Sequence, residues 1–65
     1  MPSSVIRRFA YRPEDRTLLV TFTSGKRYAY FAVPAPLYQK MQSAFSKGEF
    51  FNAHIRGRFP YAREE

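Results

Sequence analysis

An α+β fold, a three-stranded antiparallel sheet followed by a helix and a short second helix packed on one face, is what this 65-residue sequence predicts. Three observations carry the prediction. Residues 17–23 put Leu18, Val20 and Phe22 on one face and mostly β-branched side chains on the other, the pattern of a half-buried strand. Pro13 on one side of this strand and Ser24-Gly25 on the other supply the turn chemistry that would reverse the chain at both ends. Beyond Pro34, apolar residues recur at helical spacing, as one face of a helix requires.

Taken in order, residues 4–11 read as the first strand. Ile6 and Ala10 share one face, and Val5, Phe9 and Tyr11 the other. Arg12-Pro13-Glu14-Asp15 makes a turn, residues 17–23 the second strand and residues 27–33 the third, ended by Val33-Pro34. Pro36 sits where a helix tolerates proline, in the first turn. This helix runs to about Phe45 and buries Leu37, Met41 and Ala44 or Phe45. Ser46 and Glu49 form a capping box that opens a second helix, with Phe51 and Ile55 on its inner face. Gly57 ends that helix or lies just beyond it. Residues 58–65 are expected to be an irregular tail from which Phe59 and Tyr61 fold back. The chain reads as one domain over residues 1–65, with an ordered core at about residues 4–61 and loose ends.

Composition narrows the chemistry. Seven Phe and five Tyr outnumber the ten Leu, Ile, Val and Met, so the core has to be aromatic. Cysteine is absent, which excludes disulfides, thiolate metal sites and a Cys nucleophile. His54 is the single histidine, and five acids accompany it, too few for a metal site built from this chain alone. No apolar run reaches membrane-spanning length and no signal-peptide pattern opens the chain, so a cytoplasmic location is expected. Eleven Lys and Arg against five Asp and Glu give a net charge of +6. Eight of the eleven are Arg, whose planar fork matches phosphate and stacks on rings. An anionic partner follows, nucleic acid first.

The run L-x-V-x-F-x-S-G-x-x-Y-x-Y-x-x-V-P from Leu18 to Pro34 and the later A-x-S-x-G-x-x-F-N-x-x-I-R from Ala44 to Arg56 resemble the KTSC family. That family is named for a C-terminal extension of certain lysyl-tRNA synthetases, and it also occurs as small bacterial and phage proteins. The resemblance covers nearly the whole chain. It implies RNA binding, brings no catalytic residue with it, and places the family's Y-x-Y on Tyr28 and Tyr30.

Two hairpin registers are open for those tyrosines. A two-residue Ser24-Gly25 loop turns Tyr28 and Tyr30 away from the helices, where they would serve as stacking platforms for bases. A three-residue loop through Thr23 with Gly25 at positive φ sends both rings into the core beside Val20 and Leu18. Among the cations, Arg56 and Arg58 flank Gly57 as the densest donor set, and Lys26 and Arg27 extend the patch. The candidate nucleic-acid-binding residues are therefore Tyr28, Tyr30, Lys26, Arg27, Arg56 and Arg58.

Other motifs have plainer readings. Ser46 and Glu49 are explained as a cap rather than as nucleophile and base. His54 reads as a helix-terminus cation or filler rather than a ligand. Asn52 could face a base edge or solvent, and Asp15 serves its turn. No acid, base or nucleophile has a partner, so no enzyme, cofactor, metal or small-molecule substrate is expected. The expected function is binding of nucleic acid, RNA over DNA, through phosphate contacts and aromatic stacking. The alternative is a protein-interaction module that docks an acidic partner or self-associates through exposed rings. A membrane surface ranks last, for want of a basic amphipathic helix.

Overall fold

The computed structural model describes residues 5–64, so the loose start expected at residues 1–4 and, of the fraying expected at Glu64 and Glu65, the Glu65 part lie outside the described residues. β1 (Ile6–Arg12), β2 (Thr17–Phe22), β3 (Arg27–Tyr30) and β4 (Tyr61–Arg63) pair antiparallel in chain order. Between β3 and β4 the chain forms α1 (Ala35–Ser43) and α2 (Lys47–His54). The class is α+β as expected, but the sheet has four strands rather than three. The expected irregular tail supplies the fourth, with Tyr61 opposite Tyr30 and Arg63 opposite Tyr28. Its ladder is closed from outside the strand: Phe31 N–H donates to the Pro60 carbonyl at 2.8 Å and Glu64 N–H to the Arg27 carbonyl at 2.7 Å. The strand runs on to Arg63.

The β2–β3 hairpin takes the three-residue loop. Phe22 and Lys26 close it, with Phe22 N–H on the Lys26 carbonyl and Gly25 N–H on the Phe22 carbonyl, both at 2.9 Å. Gly25 has φ +92°, a conformation costly for a residue with a Cβ. Val20 then faces Tyr28 and Leu18 faces Tyr30. In the β1–β2 pair a bulge at Arg7 shifts the register, so that Ile6 opposes Phe22 while Arg8 opposes Thr21. Ile6 thereby joins Phe9 and Tyr11 against the core instead of sharing a face with Ala10. β3 stops at Tyr30, short of the expected Val33, because Ala32 adopts φ +62° and turns the chain out of the sheet.

The helices cover one face of the sheet. Leu18, Val20, Tyr30, Val33, Met41, Phe51 and Ile55 form the buried cluster between the layers. Each large apolar side chain sealed there contributes about 1.5–3 kcal/mol. Rings fill what the few aliphatics leave open. Tyr11 stacks on Tyr38 at 4.7 Å and donates its hydroxyl to the Val33 carbonyl, tying β1 to the segment that enters α1. α1 carries Pro36 in its first turn as expected but ends at Ser43. Ala44 is extended, and Phe45 lies 88% exposed in the link rather than inside the helix. α2 starts as its capping box predicts, with the Ser46 hydroxyl accepting from Glu49 N–H at 3.2 Å. Gly57 lies beyond its end at φ +76°. Among the described residues no helix is long and apolar enough to cross a membrane.

Candidate functional site

The register of the β2–β3 hairpin places Tyr28 and Tyr30 on the helix-covered face, the core alternative of the two the sequence left open, and not as platforms opposite the helices. The three-residue loop is the physical reason: one residue more in the turn exchanges the faces of the whole strand. Tyr30 is 5% exposed. α2 crosses above it and presents Phe51 edge-on, 5.1 Å from the Tyr30 ring and 5.5 Å from Phe22. β4 brings Tyr61 alongside, 5.6 Å from Tyr28 and 5.4 Å from Tyr30. Five rings thus meet where the turn end of the hairpin, the C-terminal half of α2 and β4 converge.

They wall a cleft of about 560 Å³. Its polar groups come from two directions. Lys26 enters from the hairpin loop, and Asn52 and Arg56 stand one helical turn apart at the end of α2, with a long 3.5 Å contact from Arg56 Nη1 to Asn52 Oδ1. Gly57 completes the rim. Among the described residues, two cations and no carboxylate line the cleft. Burial raises the Tyr30 phenol above its ordinary pKa, the neighbouring Tyr61 and Tyr28 add to the rise, and the Arg56 charge opposes it. Among the described residues no protein group hydrogen-bonds this hydroxyl, and it is not sealed from the cleft.

Of the six residues expected to bind nucleic acid, Lys26, Tyr28, Tyr30 and Arg56 come together in this cleft. Arg27 does not: it follows the strand alternation onto the outer face, where Thr21 separates it from Arg8. Arg58 does not either. Its Nε donates to the Ala53 carbonyl at 3.1 Å, satisfying one of the carbonyls left open at the end of α2. Sequence reasoning missed Phe22, Phe51 and Tyr61 as cleft walls. Tyr61 had a signal, since it was expected to fold back, but the short strand that delivers it had none. His54 stands exposed in the last turn of α2, at the helix-terminus position expected of it, with its ring against Phe50 at 4.5 Å. Arg12 pairs with Asp15 at 3.3 Å across the first turn. Among the described residues no three His, Cys, Asp or Glu side chains gather as metal ligands would.

Comparison with known proteins supplies the lineage. The family model described as the KTSC domain matches residues 2–59. The chain is 41% identical over 58 residues to a lysine–tRNA ligase from Nostoc punctiforme, covering 89% of this chain and 10% of that protein. The chain thus spans about a tenth of the length of the ligases it matches. An uncharacterised protein from Stutzerimonas stutzeri is 42% identical over 52 residues, 80% of this chain and 73% of its own. The crystal structure of a KTSC domain protein from Yersinia pestis superposes with a TM-score of 0.90 at 34% identity, over 100% of this chain and 94% of that one. With a family match over most of its length and the same architecture as a KTSC domain protein of known structure, the chain belongs to the KTSC domain family.

Proposed function

We propose that the domain binds single-stranded or looped RNA, by phosphate contacts and aromatic stacking and without catalysis. The observation that carries this reading is the cleft itself, five aromatic rings with Lys26 and Arg56 beside them and no acidic side chain among the described residues of its lining. Rings offer faces to bases whatever their identity, and cations placed among them meet the phosphates between bases. The net charge of +6 draws any polyanion toward the surface, which the cleft then gives a place to settle. Lysine–tRNA ligases act on an RNA, and their similarity to this chain is consistent with the reading.

An amide titration by NMR with a short single-stranded RNA, at low and at near-physiological salt, tests it. Shifts confined to Lys26, Tyr28, Tyr30, Arg56 and Gly57 that persist at the higher salt are expected. Diffuse shifts that vanish with salt would reduce the charge to a generic attraction. One observation favours the second reading, self-association or docking of an acidic protein: Phe45 stands 88% exposed between the helices. Under that reading Phe45→Ser abolishes the association and leaves the RNA titration unchanged.

A further inference from the structure

We propose that the cleft is a subsite for one unstacked nucleotide, with its base against Tyr28 and Tyr61, its edge within reach of the Tyr30 hydroxyl and Asn52, and its phosphate held by Lys26 and Arg56. The inference rests on the RNA-binding reading and narrows it from a basic, aromatic surface to a site of defined capacity.

Size is the first argument. A cleft of about 560 Å³ falls within the roughly 300–1,000 Å³ that enclose small ligands. It has room for a single nucleotide. Ring placement is the second. Tyr61 is 58% exposed and tilted 48° from Tyr28 at 5.6 Å, so the two rings form an open angled wall rather than a closed stack. A planar base inserted there gains a ring contact without displacing the buried pair Tyr30–Phe51.

Polarity is the third argument and the most specific. Tyr30 is 5% exposed, lines the cleft, and has a hydroxyl that no described residue engages. That hydroxyl opens to the cleft with its donor and acceptor capacity unspent on the protein. A ligand edge with an acceptor or donor can take up that capacity. Asn52 offers a second group of the type that reads base edges. Arg56 and Lys26, approaching from helix and hairpin, bracket the cleft with positive charge, and among the described residues no acidic side chain that would repel a phosphate lines it.

The test uses the full chain and four probes followed by NMR: adenosine 5′-monophosphate, adenosine, inorganic phosphate, and a short oligouridylate. The monophosphate is expected to shift Tyr28, Tyr30, Arg56 and Gly57 saturably, and more tightly than either adenosine or phosphate alone. Tyr61→Ala should weaken its binding about tenfold, as loss of one base–aromatic contact does. Tyr30→Phe, which keeps the ring and the fold, should weaken it severalfold while leaving inorganic phosphate unaffected. If the oligouridylate binds but the monophosphate leaves the cleft residues unmoved, the subsite is overturned and the RNA-binding reading survives. If phosphate binds as well as the monophosphate, the cleft is an anion site and the nucleotide assignment fails. If neither oligouridylate nor monophosphate binds, both readings fall together.

Discussion

Tyr30 joins the fold to the candidate site, because its ring belongs to the core and its hydroxyl to the cleft. Burial, together with Tyr61 and Tyr28, favours the neutral phenol, and Arg56 only partly offsets them, so its pKa lies above the ordinary 10.0. The consequence for stability has a definite sign. Below pH 10 the phenol is protonated in both folded and unfolded chains and contributes no pH dependence. Above that, the unfolded chain releases the proton first, and stability falls as pH rises toward the folded pKa. Urea midpoints measured from pH 8 to 11 should therefore drop more steeply for the wild type than for Tyr30→Phe. Equal slopes would mean that the phenol is solvated and the cleft more open than described. The same residue shows the limit of a sequence reading. That Tyr28 and Tyr30 share a face follows from strand periodicity, whereas which face they share depends on a single loop residue. Arg58 was out of reach for a similar reason. Its partner, the Ala53 carbonyl, is a backbone group exposed by where α2 ends.

Elements with a local chemical cause were legible; those that depend on distant partners were not. The Ser46 cap, Gly25 in its turn and the alternation of β2 each follow from residues within a few positions. The bulge at Arg7 left a trace in the imperfect alternation of β1, but its correction needed the register against β2. β4 left almost none. Three residues after a proline are below what periodicity resolves, and the strand exists because β3 offers an open edge. Ala32 at φ +62° carries no glycine or asparagine to announce it. α2 deserves a quantitative test, since it places Phe51 over the rings and Arg56 at the rim. Ser46→Ala removes the acceptor for Glu49 N–H and should cost about 1 kcal/mol by denaturant titration. A null result would show that packing of Phe51 and Ile55, not the cap, fixes where α2 begins.

At the scale of the whole molecule the positive charge divides between two faces, and the division can be measured. The cleft side presents Lys26 and Arg56. The outer face of the sheet presents Arg8, Arg12 and Arg27 around a smooth row in which Ala10, Leu19, Ala29 and Ala62 stand side by side across all four strands. If attraction to RNA were a property of net charge alone, removing two cations from either face would have the same effect, because long-range steering depends on their sum. Contact is different. Each phosphate neutralised on a single strand contributes about 0.7 to the slope of log K against log salt. Lys26→Ala with Arg56→Ala should therefore flatten that slope by about 1.4, the contribution of two contacts. Arg8→Ala with Arg27→Ala removes the same charge from the opposite face and should leave the slope nearly unchanged, lowering only the association rate. The contrast is read by fluorescence anisotropy with one short labelled RNA across a salt series. A larger loss from the outer pair would move the binding surface to the open sheet and leave the aromatic cleft without a role in RNA binding.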